Sequence, residues 1–396
     1  MADNSARSDL PSWRDGRRYL WPSAIAVPVL PFLSFGLVRQ TGAGGWWWLT
    51  AVLVFVVIPL MDVLGGDDVG NPPDEVTKAL QEDRYYRWLT YLYLPLQFGA
   101  LVLGAWQWQA GGLDWIGRLG LLATVGTVNG IAINTAHELG HKRERVERWL
   151  SKIALAPTAY GHFSVEHNRG HHTRVATFED PASSRLGESF WRFWPRTVLG
   201  SLRSAWHLET SRFTVRRRSP WTPRNDVLNA WLMTVVLFAA LAIGFGPGVL
   251  PFLAVQAVVG FSFLEVVNYL EHYGLARQRT ATGRYEKVDE RHSWNSNRLT
   301  TNIFLYQLQR HSDHHANPTR RYQVLRSFDT SPQLPAGYAT MIVVALVPPL
   351  WRRIMDPRVL AHYGGDPRLA NVHPPARARL AARHAAQPAA ELAGGA

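Results

Sequence analysis

His137-Glu138-Leu139-Gly140-His141 closes a long apolar run over 116–136. Two imidazoles four residues apart share one face of an α-helix, so His137 and His141 can bind one metal ion. The run before them has the length, about 20 residues, that crosses the hydrocarbon core of a bilayer. The pair thus sits where a membrane helix leaves the lipid. Three more histidine clusters follow: Glu166-His167-Asn168-Arg169-Gly170-His171-His172, Asn268-Tyr269-Leu270-Glu271-His272 and His311-Ser312-Asp313-His314-His315.

Working outward, apolar blocks over 19–38, 46–65, 88–108, 228–245 and 249–273 join 116–136 to make six expected spans. The predicted fold class is an all-α integral membrane protein, with six transmembrane helices under a cytoplasmic, histidine-rich helical cap. A cytoplasmic N-terminal tail is expected over 1–18. The six-span region covers 19–273 and carries the cap segment 137–226. A C-terminal cytoplasmic cap is expected over 274–365 and a flexible tail over 366–396. Within the caps, 149–159 and 190–206 could lie at the membrane surface. The apolar stretch 338–350 is too short to cross, and Pro348-Pro349 would break it, so it reads as interfacial or re-entrant. Asn71-Pro72-Pro73-Asp74-Glu75 reads as a turn opening a helix with acidic residues in its first turn. Before the first block, Asp3, Arg7, Asp9 and Asp15 leave no room for a short apolar signal, so no cleaved signal peptide is expected.

The formal net charge is +12. Its distribution argues against nucleic acid. Of 42 basic residues, 16 fall over 142–224 and 17 follow His272, whereas only Arg39 and Arg118 lie near the short connections of the opposite side. That is the positive-inside pattern, which places the histidine-bearing side and both termini in the cytoplasm. There is no cysteine. Thiolate zinc sites and cysteine-held iron–sulfur clusters are therefore excluded within the chain, and electrons for any redox chemistry must come from another protein.

Nine of the 15 histidines fall in the four clusters: His137, His141, His167, His171, His172, His272, His311, His314 and His315. Nine donors exceed the four of one zinc and suit two ions with four or five nitrogens each. On an α-helix His167 and His171 share a face, while His172 is turned by about 100°. All-imidazole coordination suits zinc, copper, iron or nickel. Glu138, Glu166, Asn168, Asn268, Glu271 and Asp313 stand beside the histidines, where they could accept the free ring N–H and fix the tautomer. Glu271 and Glu138 could also bind metal directly. Asn134 and Asn129 lie within the fourth span, and polar groups at that depth face protein or ligand. The isolated His162, His207, His292, His362, His373 and His384 read as structural, with His162 and His292 the nearest to clusters.

Two other functions fit part of the pattern. The first cluster matches H-E-x-x-H, in which two histidines hold zinc and the glutamate is the base of a protease. That reading leaves seven clustered histidines without a role. A metal transporter would place its ligands along a mid-membrane path, whereas these gather on one side.

H-E-L-G-H at 137–141, E-H-N-R-G-H-H at 166–172, N-Y-L-E-H-Y-G-L at 268–275 and L-Q-R-H-S-D-H-H-A at 308–316 together resemble the integral-membrane alkane 1-monooxygenase family. The likeness extends to Asn71-Pro72-Pro73 and to His292-Ser293-Trp294-Asn295-Ser296-Asn297. The first, second and fourth motifs are shared with membrane fatty-acid desaturases, and the third favours the alkane hydroxylases. The resemblance implies two iron ions bound by the nine histidines and O2 as oxidant. It also implies hydroxylation of the terminal methyl of an n-alkane, in the bacterial inner membrane. Electrons would come from rubredoxin, itself reduced by an NAD(P)H-dependent reductase. A fatty-acyl desaturase or a xylene-type methyl hydroxylase is the nearest alternative. A narrow apolar slot between spans should position the alkane, with Val54, Ile58, Phe261 and Leu264 as candidate walls. For each of these alone, ordinary helix packing is the simpler reading. The basic face could dock an acidic rubredoxin, or could serve topology alone.

Overall fold

The structure, a computed structural model, describes residues 13–382. Expectations for 1–12 and 383–396, including His384, fall outside the described residues. The described chain is helical, with only isolated β-bridges.

Helix α1 (Trp21–Thr41) turns at Gly42 into α2 (Gly44–Gly65). The Gly42 amide donates to the Val38 carbonyl at φ 73°, a left-handed conformation that glycine tolerates. Helix α3 (Asp74–Glu82) follows, then α4 (Arg84–Ala110), α5 (Trp115–Gly140) and the short amphipathic α6 (Arg145–Leu155). A compact helical stretch over 163–174, α7, contains a π-helical turn at Glu166–His171. Helix α8 (Phe190–Val215) crosses the cap, and α9 (Asp226–Phe245) and α10 (Pro247–His272) complete the long apolar helices. Four shorter helices close the fold: α11 (Leu299–Phe304), α12 (His311–Ala316), α13 (Tyr338–Ala345) and α14 (Pro348–His362).

Six helices, α1, α2, α4, α5, α9 and α10, are long and apolar enough to cross a membrane. Several begin before the apolar block that reveals them, because side-chain caps set their ends. Asp83 accepts from the Tyr85 amide at 2.9 Å, Asp114 from Gly117 at 2.7 Å, and Asn225 from Val227 at 2.9 Å. Hydropathy marks a span's apolar interior rather than its cap.

Helix α5 packs most extensively on α10, and these two carry His137 and His272 at their ends. The contact needs bare backbone: a Cβ at Gly130 would stand 3.0 Å from the Gly260 carbonyl and 2.8 Å from the Phe263 Cβ. Buried amides link the same pair. Asn129 Nδ2 donates to Gln256 Oε1 at 2.7 Å, and Gln256 Nε2 to the Pro157 carbonyl at 2.7 Å.

Two boundaries differ from expectation. The stretch 338–350 is two helices meeting at Val347. Pro348 and Pro349 begin α14, where the missing amide costs nothing, and α13 buries Tyr338, Met341 and Ile342 while exposing Val343. The flexible tail expected from 366 is instead packed as far as Leu380. Its Ala370, Val372, Ala376 and Leu380 share a core with Leu186, Tyr273 and Trp351. Backbone pairing fixes it there: the Leu186 amide donates to the Asn371 carbonyl at 2.7 Å and the Asn371 amide to Gly274 at 2.9 Å. Composition rich in Ala, Pro and Arg suggested looseness, yet small residues let this strand-like stretch lie close on its neighbours.

Candidate metal centre and its cavity

The cap segments fold back over the ends of α5 and α10. Helix α6 lies across the end of α5, where Ser151 Oγ donates to the Ala136 carbonyl at 2.6 Å and holds the turn that carries His141. The π turn of α7 is braced on both sides. The Arg174 guanidinium donates to Glu166 at 2.7 Å and to Ser204 at 2.6 Å, while Arg169 pairs with Glu209 and Asp226. Helix α12 brings up the last three histidines, with Ser312 locked between Asn295 and Ser331.

The nine clustered histidines fall into two groups whose ligand atoms could each surround one ion. His137, His141, His167, His172 and His314 form one group. His171, His272, His311 and His315 form the other. Neighbouring Nε2 atoms lie at 2.7 Å (His137–His314), 3.1 Å (His167–His172), 3.2 Å (His172–His314), 2.9 Å (His311–His315) and 3.3 Å (His171–His315). Donors at about 2.1 Å from a common ion and about 90–110° apart would stand roughly 3.0–3.4 Å from one another. Three of the five spacings fall in that range and the other two are slightly shorter, close enough to suit shared coordination. Burial pushes His141, His167, His172, His311, His314 and His315 well below the usual histidine range. They are then neutral near pH 7, the state that offers a lone pair to a metal. Both ring nitrogens of buried His272 lack a hydrogen-bond partner.

The π turn changes which rings pair. The His172 amide donates to the His167 carbonyl, an i to i+5 step. His167 therefore joins His172, not His171 as an α-helix would have it, and His171 crosses to the second group.

The neighbouring carboxylates and amides take several orientations. Glu271 Oε2 stands 3.2 Å from His311 Nε2, and its other oxygen has no partner. Glu138 turns elsewhere, to Lys142 Nζ at 3.0 Å and the Tyr322 amide at 3.3 Å. Asp313 holds Arg320, Asn317 and the Arg326 amide. Glu166 holds Arg174, and burial pushes its carboxyl up to about 7. Asn168 donates to the Ser164 carbonyl, Asn268 to Glu265 and Asn134 to the Leu305 carbonyl. Besides Glu271, a second carboxylate meets a clustered ring, and it was missed in the sequence. Asp180 Oδ2 meets His171 Nδ1 at 2.9 Å and takes a second bond from Ser183 Oγ at 2.6 Å. Although burial opposes it, the His171 contact holds the Asp180 carboxyl down at about 2. Nine residues beyond His171 in a loop, it carried no spacing signal.

Of the isolated histidines, His292 lies between Glu286 (3.1 Å) and Asp289 (2.9 Å), and His162 is buried beside the Tyr160 ring. Neither joins the two groups.

An apolar cavity reaches the centre. His137, His167, His311 and Glu271 line it at one end, with Asn134 and Asn268. Val27, Val54, Ile58, Phe263, Leu264 and Phe304 are among its apolar walls. Phe261 is not among them. It stacks on Tyr160 at 4.9 Å and on Trp194 at 5.8 Å, because two residues of helix turn it about 200° from Phe263. In α2 a π turn at Leu53–Val57 carries Val54, so Val54 and Ile58 both face the cavity.

A sequence model of the fatty acid desaturase family matches residues 113–345. The chain is 44% identical to the alkane 1-monooxygenase of Acinetobacter baylyi over 380 residues, covering 93% of this chain and 91% of that one. It is also 44% identical to an alkane 1-monooxygenase of Pseudomonas putida, covering 92% and 90% of the two chains. The xylene/toluene monooxygenase hydroxylase component XylM of Pseudomonas putida is 23% identical over 82% of this chain and 85% of its own length.

Proposed function

The chain belongs to the alkane 1-monooxygenase family, within the wider fatty acid desaturase family, and on that premise we propose that it hydroxylates the terminal methyl of medium- and long-chain n-alkanes. The observation that carries the reading is the junction of two histidine groups with an apolar cavity that both of them line. The balanced reaction is RCH3 + O2 + 2 electrons + 2 protons giving RCH2OH + H2O. An unactivated C–H bond offers neither charge nor acidity, so general acid–base groups are of little use against it. Two iron ions, held by five and by four histidines, would supply the redox chemistry that activates O2.

The chain's own residues set the rest. Val54, Ile58, Leu264 and Phe304 hold the alkane by shape, since each CH₂ gains at most about 0.8 kcal/mol on leaving water and less on leaving lipid. Asn134, Asn268 and Glu271 form the polar end, where the methyl would meet the centre. Asp180 fixes the His171 tautomer by accepting the Nδ1 proton, which leaves Nε2 free to bind. Glu138 bonds to Lys142 and backbone, an arrangement that gives a protease reading no general base at the cavity. The setting we propose is the bacterial inner membrane, with the histidine side and both termini in the cytoplasm, as the charge asymmetry supports. Electrons would arrive from rubredoxin, kept reduced by an NAD(P)H-dependent reductase.

Purified protein should contain two irons per chain and convert octane or dodecane to the 1-alcohol with O2 and reduced rubredoxin. An alkene product would move the reading to a desaturase, and one zinc per chain would sink the di-iron proposal.

A further inference from the structure

Two amides interrupt the apolar wall of the cavity, each about one helical turn before a clustered histidine. Asn134 stands before His137 on α5, and Asn268 stands before His272 on α10. Each amide gives its NH2 group to the protein. Asn134 Nδ2 donates to the Leu305 carbonyl at 2.7 Å, and Asn268 Nδ2 donates to Glu265 Oε2 at 3.3 Å. A carbonyl or carboxylate oxygen accepts, so the Oδ1 atoms are the ends left for the cavity. Neither Oδ1 takes a hydrogen bond among the described residues. Both stay accessible, whereas the Oδ1 of Asn129, deeper in α5, is sealed inside the protein.

Glu265 fixes the Asn268 side of this pair. Its Oε1 accepts from the Tyr160 hydroxyl at 2.6 Å, and its Oε2 also accepts from Thr197 Oγ1 at 2.8 Å. Donors from the loop before α7, from α8 and from α10 thus converge on one buried carboxyl. Held this way, Asn268 keeps its NH2 turned into protein. Thr301, the hydroxyl on the cavity wall, is spent on Asp62. What the two amides present to the cavity is therefore a pair of acceptor oxygens. An alkane has nothing to give them.

We propose that Asn134 and Asn268 form a hydroxyl subsite, which binds primary alcohols by accepting their O–H, and that Glu265 positions Asn268 for this task. The inference rests on the oxygenase reading, in which the terminal carbon of the alkane gains a hydroxyl at this end of the cavity. With alkane bound, both oxygens face hydrocarbon without a donor, which is unfavourable in an apolar site. The alcohol formed in place supplies the missing donor. The cavity therefore holds product more tightly than substrate, and the amides slow the departure of the alcohol into lipid. The subsite also separates alcohols from ethers of the same size, which have no proton to give.

The experiment displaces tritiated dodecane from the full, metal-loaded chain in nanodiscs, without reductant. The competitors are 1-octanol and its isomer heptyl methyl ether, each corrected for its partition into empty nanodiscs. In wild type, octanol should displace dodecane at a concentration at least about tenfold lower than the ether. This comparison needs no variant. Asn134→Leu and Asn268→Leu should each narrow the gap at least about threefold, with metal content unchanged and dodecane binding held or tightened. Glu265→Leu should narrow it as Asn268→Leu does, and Glu265→Gln, which keeps an acceptor for the Asn268 amide, should restore it. Asn129→Leu, which removes an amide outside the cavity, should leave the gap as in wild type. Equal displacement by the two isomers in wild type overturns the proposal. A gap that survives both asparagine variants assigns the preference to the metal centre and overturns it too, as does an equal loss in Asn129→Leu. A full gap in Glu265→Leu overturns the positioning role. If wild type makes no alcohol from octane with O2 and reduced rubredoxin, it is the oxygenase reading that has failed. Displacement requires no turnover and then still decides the subsite.

Discussion

His167 and His172 bring their Nε2 atoms to 3.1 Å across a π-helical turn, while His171 between them reaches His315 at 3.3 Å in the other group. The extra residue in the turn thus deals three histidines of one motif to two places. A regular α-helix would pair His167 with His171 and starve one group. Gly170 lies inside that turn, and a Cβ there would stand 2.5 Å from Glu166 Oε2 and 2.6 Å from Arg174 Nη2. Gly170→Val should displace this ion pair, cost about 1–3 kcal/mol and lower the bound metal per chain. Thermal unfolding with elemental analysis checks both parts, and a fully loaded variant of unchanged Tm would contradict the role given to the turn.

The two groups should empty separately. His141→Ala and His311→Ala each remove one donor, from the five-ring and four-ring group respectively. Each should lower metal content towards one ion per chain and reduce hydroxylation by more than about a hundredfold. Full metal content and activity in both variants would refute the centre as drawn.

Asp180 is expected to matter although it binds no metal. Asp180→Asn keeps the shape but replaces the acceptor that fixes the His171 ring. Metal affinity should fall by about 10–100-fold, read by competition with a chelator. Ser183→Ala, which removes only the bond to Asp180, should cost less.

Chain-length selection separates two aromatic-sized changes. Val54 lines the cavity, and Phe261 stacks outside it. Val54→Trp should shorten the longest alkane accepted, whereas Phe261→Leu should leave the product profile unchanged and lower only stability. Competition assays with mixed alkanes give the profile directly, and a wild-type profile for Val54→Trp would remove that residue from the wall.

His162 gives a pH signature of stability. Burial holds its ring down at about 4 against an ordinary value of 6.5. Folding therefore favours the neutral ring. Its contribution is complete above pH 6.5 and drains as pH falls towards 4, because the unfolded chain takes up the proton first. The loss is on the order of 3 kcal/mol. Tm of the wild type should drop more steeply than that of His162→Phe over this window. Parallel curves would show that the ring is not the titrating group.

Spans and histidine motifs were visible in the sequence because both are periodic signals, about twenty apolar residues in one case and recurring three- and four-residue spacings in the other. The sorting of rings was not visible. It depends on a π turn, which has no propensity signature at 166–171. Asp180 was hidden because a loop residue meets His171 through tertiary folding. Glu138 and Asp313 adjoin histidines in sequence, yet their helices aim them at Lys142 and Arg320. Phe261 was placed on the wrong face because its distance from His272 says nothing about which side of α10 meets the cavity. The docked stretch beyond Asp366 was obscured by a composition that disordered chains share.

That docked stretch limits how the chain can be shortened. Trimming at Asp366 on grounds of composition would strip Val372, Ala376 and Leu380 from the core around Tyr273, and Tyr273 directly follows His272. Workers who engineer fusions or affinity handles should place the junction beyond Leu380, since a cut further upstream would loosen the floor on which the four-ring group is seated.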